Sequence, residues 1–599
     1  MESKLDLELY NQSCKAFNQK DLKQALELLN KFKVANGLDD SSQLPFDKSF
    51  YDLLVNFEFG RVNRTIENIN YVLVLASKLL QNKSLQKAEI IQINIILGEC
   101  FLVLDNLDNA LNAFSNVINL DIKQEHKTIW FKLLYLLSRH GGYAKKFEEL
   151  ANITLTWEVF RIPTHFILLD TAISSLNKKV ADEQIQALKN DLALLDLEQQ
   201  IRLFNACVNV SEYALAKEVL DNSRISKDNY IFYEPAVANL AFNNKEYEKT
   251  LSILNNIKQQ VFEANPAYVL YLKGRAYDKT KDYSQAFSSF TEASKYKEND
   301  NIKVQQTNNI YIADYPLLYQ NVDFQVLKNL HQTKSAETEI YSPTFLLGFP
   351  RSGTTLLDTV LDTQSTLTVL SERPTIFIVI KEMYKRFGKS YPQQLAELTS
   401  EEIQVLRQVY YDGVDKITSH SVDLGNHLII DKMPLNTQHI PLILLLFPKA
   451  KFIFSVRHPL DCLISTWQQN LLFSTEFNAE MTFLSTLEKI TKKYIDVLQH
   501  FERCDKYFDL NVHFIKYENL VENFKSEVES LLAFLDISNS SDDYLTFNAH
   551  AKTKIINTPS RDQVTEGIYK GSLYKWKHYE GYLEAEYQDL KYYIDKFNY

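Results

Sequence analysis

Glycine and proline are scarce in this chain, fourteen of each among 599 residues, and cysteine is scarcer still at five. So little glycine argues against a fibrous or loop-rich protein. Cys14, Cys100, Cys207, Cys462 and Cys504 are far apart, odd in number and never in a CxxC pair. That pattern suggests neither a disulfide framework nor a zinc site, and it suits a reducing, cytoplasmic compartment. Positive charge is also in deficit: the formal net charge of −11 gives no reason to expect a nucleic-acid partner, so any anionic ligand must be held by a local cluster. Long apolar runs are missing too. The most apolar segment, "IPLILLLFPKAKFIFSV", is broken by Pro448, Lys449 and Lys451, and the N-terminus has no basic flank followed by an apolar core. Neither a membrane span nor a signal peptide is expected.

What is present is a folded chain. A hydrophobic fraction of 45%, with 34 tyrosines and 36 phenylalanines, argues against disorder, and the length favours two or more domains. The first half repeats a helical pattern. In "LGECFLVLDNLDNALNAFSNVINL", Leu97, Gly98 and Phe101 share one helix face and Ala110 and Phe114 a face of the next. "LKGRAYDKTKDYSQAFSSFTEA" repeats these offsets with Leu272, Gly274, Tyr277, Tyr283, Ala286 and Phe290. Gly274 and Ala286 would let two helix axes approach closely. Weaker copies lie around Ala16 to Leu29 and Ala238 to Leu254, and the stretch from about 125 to 230 fits only loosely.

Near residue 300 the pattern changes. A polar, weakly periodic connection over 301–341 leads to short apolar runs alternating with helical stretches. "TFLLGF", "HLIID", "KFIFSV" and "VHFIKY" read as buried strands, which predicts an α/β domain over 342–599 with a mostly parallel sheet. Its first strand runs into "GFPRSGTT", Gly348 to Thr355. Main-chain N–H groups there, the following helix dipole, Ser352, Gly353 and the hydroxyls of Thr354 and Thr355 would surround an anion, and Arg351 adds a charge. A nucleoside triphosphatase loop carries lysine where Thr354 stands, which weighs against phosphate transfer from ATP. Asp431, at the end of "HLIID", stands where such an enzyme keeps a magnesium ligand and keeps a P-loop kinase in contention. In "KFIFSVRHPLDCLISTWQQN", Arg457 ends a strand, Pro459 opens a helix and Ser465 lies two turns along, so Arg457 and Ser465 could grip a second phosphate.

These motifs resemble the sulfotransferases: "GFPRSGTT" is similar to their 5′-phosphosulfate loop, and "RHP" with its downstream serine to their 3′-phosphate site. The resemblance covers roughly Ser342 to Tyr579 and is nearest the tyrosylprotein sulfotransferase branch and bacterial sulfotransferases with helical repeats. The helical half resembles the tetratricopeptide repeat, with about four copies over 1–300. The implied fold class is an all-α tetratricopeptide-like repeat domain followed by an α/β, P-loop-like sulfotransferase domain. The implied donor is 3′-phosphoadenosine 5′-phosphosulfate, with no metal. "LSERPTIF" resembles the segment of the catalytic base, which assigns that role to Glu372, and "DKMPLN" places Lys432 near the bridging oxygen. Tyr517 in "KYENL" becomes a nucleotide contact. In "TPSRDQVTEGIYKGSLYKW", Ser560 would approach the sulfuryl group, while Arg561, Asp562, Gln563, Val564 and Lys575 would close over the nucleotide. Gln469 departs from the pattern, standing where the tyrosylprotein branch has a second arginine for the 3′-phosphate. The acceptor, whether tyrosine, sugar or small molecule, is open, as is whether the repeats bind a protein or form a dimer. A repeat-based interaction protein with a degenerate nucleotide-binding domain is the alternative from another class.

Overall fold

The computed structural model describes residues 7–38, 44–121, 123–140, 144–308, 313–335, 341–418, 422–470, 482–537, 542–556, 558, 560–568 and 570–599. It divides into two compact units, Met1–Thr171 and Ala172–Tyr599. The first is helical hairpins: Glu8–Asn18 with Leu22–Ala35, Phe46–Asn63 with Ile66–Leu80, Lys87–Val103 with Leu107–Leu120, and Lys127–His140 with Ala144–Leu155. Contact is close enough that a methyl group on Gly98 would come within 2.5 Å of the Phe114 ring.

The second unit begins with further hairpins, Leu197–Asn209 with Tyr213–Asn222, Tyr233–Asn243 with Tyr247–Asn255, and Pro266–Lys279 with Tyr283–Asn308. Their turns, and the earlier turn between the helices Glu158–Ser174 and Lys178–Asn190, share one device. Leu176, Ser211, Lys245 and Lys281 are left-handed, with φ between 59° and 65°, at intervals of 35, 34 and 36 residues. In each turn the next N–H donates to the carbonyl five residues back: Asn177 to Ala172, Glu212 to Cys207, Glu246 to Ala241 and Asp282 to Tyr277. That closure satisfies carbonyls left over at the helix end, and it is normally built on glycine. Here a glycine-poor chain uses other residues. The side chains of Asn177 and Asp282 then cap the following helices, accepting from the N–H groups of Val180 and Gln285.

Five strands form the sheet: β1 (Thr344–Gly348), β2 (Leu367–Ser371), β3 (Leu428–Lys432), β4 (Lys451–Val456) and β5 (Val512–Lys516). All pairings are parallel, in the order β2-β3-β1-β4-β5. Strand alternation sorts the side chains between two faces. Leu346, Ile430, Ile453 and Ile515 pack against the helix Thr354–Leu361, while Phe345, Leu347, Phe452 and Phe454 enter the larger core on the other side. β1 is central, and the chain turns from it first toward β2 and β3 and later toward β4 and β5. The crevice at the carboxyl ends of β1, β3 and β4 is therefore the switch point where ligands bind in such sheets.

The packing does not change where the sequence pattern does. Ala267, Leu270, Tyr271, Ala286 and Phe290 of the last hairpin belong to the same core as the sheet, and Phe290 lies 5.4 Å from the Trp467 ring. Lys297 of this hairpin is buried and donates 3.0 Å to the Leu484 carbonyl.

Candidate active site

The loop between β1 and the helix Thr354–Leu361 sits at the switch point. Gly348 (φ 152°) and Gly353 (φ 105°) take conformations that favour glycine, and a Cβ at either would collide, with the Ser455 carbonyl at 2.7 Å and the Tyr517 ring at 2.5 Å. A neighbouring strand and the helical turn Pro434–His439 pin the loop: Ser455 Oγ donates 2.9 Å to the Ser352 carbonyl, and Thr437 Oγ1 donates 3.1 Å to the Gly348 carbonyl. Thr354 and Thr355 are buried at the helix start, and Thr355 is within hydrogen-bond distance of Thr558. Ser352 Oγ is buried with no hydrogen-bond partner among the described residues.

Arg351, itself left-handed at φ 69°, joins segments distant in sequence. Its Nε donates 3.0 Å to Ser465 Oγ and its Nη1 donates to Ser560 Oγ. Arg457 approaches from β4, donating through Nη1 to the Arg351 carbonyl (3.2 Å) and through Nη2 to the Ser572 carbonyl (2.5 Å). Its guanidinium lies 4.9 Å from the centre of the Tyr517 ring, whose hydroxyl is bonded to Ser572 Oγ at 2.8 Å. Burial, and then the neighbouring charge of Arg457, lower the Arg351 pKa to about 10, which leaves it a cation at neutral pH. Two adjacent guanidinium groups repel, and Arg457 Nε has no partner among the described residues although buried. Unused buried donors and two adjacent guanidinium groups around a glycine loop are what an anionic ligand would satisfy. Arg351, Gly353, Arg457, Tyr517, Ser560 and Val564 line a small cleft here.

Beside it stands a carboxylate–ammonium triad. Lys432, at the end of β3, has no exposed surface, and its Nζ lies 2.8 Å from Glu372 Oε1 and 2.9 Å from Asp358 Oδ2. Burial opposes the lysine's charge, but the two carboxylates outweigh it and raise the pKa. Burial likewise raises the Asp358 pKa against the pull of Lys432 and the Ser371 hydroxyl. Glu372 is left-handed (φ 50°) just after β2, and its N–H donates 2.7 Å to the Lys432 carbonyl, so the chain bends there and brings its partly exposed carboxylate to the ammonium. A larger cavity, about 260 Å³, adjoins this point and is lined by Asp358, Ser371, Arg373, Ile417 and Ile555 among others.

Other residues named from sequence lie differently. The guanidinium of Arg561 donates 2.6 Å to the Val210 carbonyl and also to Ser211 Oγ, in a hairpin turn. Lys575 Nζ pairs with Asp278 at 2.8 Å and donates 2.6 Å to Gln468 Oε1. This places a cation beside the helix end that carries Gln469, close enough to Arg457 for the two charges to repel. Asp562 and Gln563 lie in the helix Arg561–Glu566, with side chains outside the described residues. Asp431 points to the opposite face of the sheet from the loop helix. There its Oδ2 accepts from Thr375 (2.6 Å) and Tyr410 (2.9 Å), and burial pushes its pKa up to about 6. It is not placed to hold a cation at the loop. Sequence reading missed Asp358 and Asp461. Asp461 accepts from the N–H groups of Tyr574 (2.7 Å) and Trp576 (2.9 Å) while lying 3.7 Å from Arg457. Its position one turn after Arg457 was the available signal.

The parallel sheet thus carries a glycine loop at its switch point, with Arg351 in the loop, Arg457 behind it and a lysine-bound glutamate beside it. Residues 343–542 match the sulfotransferase family. An uncharacterized protein of Aquifex aeolicus (strain VF5) is 26% identical over 431 residues, 70% of this chain and 54% of that protein, so the chain spans about half its length. Among solved structures, the sulfotransferase domain of the Synechococcus PCC 7002 olefin synthase aligns with 40% of this chain and 90% of its own (19% identity, TM-score 0.27). Sulfotransferase STF9 from Mycobacterium avium aligns with 50% of this chain and 96% of its own (14% identity, TM-score 0.28). Among the described residues, no helix is long and apolar enough to cross a membrane, and no group of three or more His, Cys, Asp or Glu could hold a metal ion.

Proposed function

We propose that this chain is a cytoplasmic sulfotransferase that moves a sulfuryl group from 3′-phosphoadenosine 5′-phosphosulfate to an acceptor hydroxyl, without a metal. The observation that carries the reading is the convergence on one loop of Arg351, Arg457, Ser465 and Ser560, with buried unused donors on Ser352 and Arg457. In this reading the loop holds the 5′-phosphosulfate, and Arg457 and Ser465, with Lys575 nearby, meet the 3′-phosphate. Tyr517 and Val564 flank the nucleotide.

Transfer is an in-line displacement at sulfur. The acceptor oxygen forms its bond to sulfur as the bond from sulfur to the bridging phosphate oxygen breaks, and Glu372 takes the acceptor's proton. Lys432, 2.8 Å from Glu372 Oε1, holds that carboxylate in place beside the reacting group. Arg351 and Ser560 stabilise the charge that builds on the sulfuryl and leaving oxygens. The acceptor enters through the cavity beside Glu372. A protein tyrosine is the leading acceptor, since a phenol with a pKa of about 10 asks less of the base than a sugar hydroxyl. A carbohydrate or small-molecule hydroxyl is the other reading. The helical hairpins, read as tetratricopeptide repeats, would present a protein acceptor or pair two copies of the chain.

Calorimetric titration with 3′-phosphoadenosine 5′-phosphate, against ATP and magnesium, tests the proposal. Tight binding of the first alone, lost in Arg457→Ala, is expected. Preference for ATP would overturn it in favour of a kinase, and binding with no transfer to any hydroxyl in favour of a degenerate sensor.

A further inference from the structure

Four interhelical turns, at Leu176, Ser211, Lys245 and Lys281, or the helix ends that lead into them, meet segments that carry the candidate site. The first turn offers the Ser174 carbonyl to Arg373, the neighbour of Glu372 (2.8 Å). The second offers the Val210 carbonyl and Ser211 hydroxyl to Arg561, the neighbour of Ser560. The third places Lys245 3.2 Å from Glu566. The helix leading into the fourth, Pro266–Lys279, carries Asp278 in its last turn, which pairs with Lys575 and accepts 2.6 Å from the Tyr579 hydroxyl. Because the left-handed turn residues recur at nearly constant spacing, the turns form one row, and the site segments are fastened along it in order.

The fastenings differ in strength. Lys245 and Glu566 are exposed, and such a pair contributes little. Arg561 makes a two-point contact to a turn whose carbonyl is fixed by the hairpin, and it is partly buried. Adjacent Ser560 is bonded to Arg351, so a shift of the helix Arg561–Glu566 would pull the hydroxyl from the loop.

Resting on the sulfotransferase reading for its catalytic consequence, we infer that the row of turns is a built-in part of the donor site. Arg561 is then a positioning residue that holds Ser560 in place by latching to Val210 and Ser211, and not a ligand of the nucleotide. The hairpins of residues 172–308 act as the frame for the closing segment in addition to any partner they bind.

Two measurements on the full chain test this. Amide hydrogen exchange over Ser560–Gly567 should quicken in Arg561→Ala and in Ser211→Gly, where glycine suits the left-handed backbone but removes the hydroxyl; unchanged exchange in both overturns the latch whatever the enzyme binds. Affinity for 3′-phosphoadenosine 5′-phosphate should fall about tenfold in Arg561→Ala and about threefold in Ser211→Gly, as expected for losing charged hydrogen bonds. The double variant should be no worse than Arg561→Ala. Arg561→Lys, which keeps the charge but not the two-point geometry, should resemble the alanine variant. Multiplying effects in the double variant, or full affinity in Arg561→Lys, would identify Arg561 as a direct nucleotide contact and overturn the proposal. Failure of the wild-type chain to bind this nucleotide would refute the sulfotransferase reading and leave the exchange result standing by itself.

Discussion

Lys432 Nζ lies 2.8 Å from Glu372 Oε1 and is held from behind by Asp358 at 2.9 Å, so the candidate base and the loop helix share one buried ammonium. Removing that charge exposes two separable consequences. Lys432→Met leaves the buried Asp358 carboxylate unpaired and should cost about 3–5 kcal/mol in urea unfolding. Adding Asp358→Asn should recover most of that stability while turnover stays at least about a hundredfold down, because the missing charge still faces the reacting group. Recovery of both together would make Lys432 purely structural.

Glu372→Gln keeps an acceptor for Lys432 but cannot take a proton. Sulfuryl transfer should fall by about a thousandfold, within the range for a lost general base, while affinity for 3′-phosphoadenosine 5′-phosphate stays within about threefold. Comparing single-turnover rates with calorimetric affinities checks the split; unchanged turnover would remove Glu372 from the mechanism.

Arg457 joins the Arg351 carbonyl, the Ser572 carbonyl and the Tyr517 ring through one planar group. A lysine supplies its charge but cannot reach both carbonyls in that geometry. Arg457→Lys should therefore lose about as much nucleotide affinity as Arg457→Ala, about a hundredfold, which corresponds to roughly 2.7 kcal/mol. Affinity close to wild type in the lysine variant would mean that charge alone is recognised there.

The strands and the glycine loop were legible because buried parallel strands are short apolar runs and because a loop that closes on Ser455 and Tyr517 admits only glycine at two positions. Arg351, Ser465, Arg457 and Ser560 were named from motifs, but their cross-bonding joins residues more than a hundred positions apart, which periodicity does not register. Asp358 looked like one more polar position on an amphipathic helix; only the register of β3 turns Lys432 toward it. The regular turns escaped notice because Leu176, Ser211, Lys245 and Lys281 occupy positions where glycine is the usual signal. The bond from Arg561 to the Val210 carbonyl was not legible either, because local sequence does not contain that carbonyl.

The core joining Phe290 to Trp467, with Lys297 bound to the Leu484 carbonyl, predicts how the chain tolerates truncation. A fragment beginning at Ala172 keeps the compact unit and should unfold cooperatively. One beginning at residue 301 loses Phe290, Tyr271 and Lys297, which leaves Trp467 and Tyr579 uncovered. It should be aggregated or lack a cooperative melt, at a loss of about 3–5 kcal/mol for each large aromatic removed from a core. Circular dichroism melts of the two fragments distinguish these outcomes, and equal melting would support a domain boundary at residue 300.

Asp431 gives stability a pH dependence that can be signed. Burial raises its pKa from 3.8 to about 6, so between these values the folded chain holds a proton that the unfolded chain has released. Its contribution is fully present below about pH 4, declines as pH rises and has gone above about pH 6. Asn cannot ionise, so the stability of Asp431→Asn relative to the wild type should improve across that window by up to about 3 kcal/mol and then level off. The Thr375 and Tyr410 hydroxyls keep an amide oxygen to donate to, which limits the cost at low pH. Urea unfolding at pH 4, 5, 6 and 8 measures the curve. A magnesium ligand would behave otherwise: Asp431 would have to be an anion facing the loop, the asparagine variant would lose metal-dependent nucleotide binding, and the stability difference between the two proteins would be flat through pH 5.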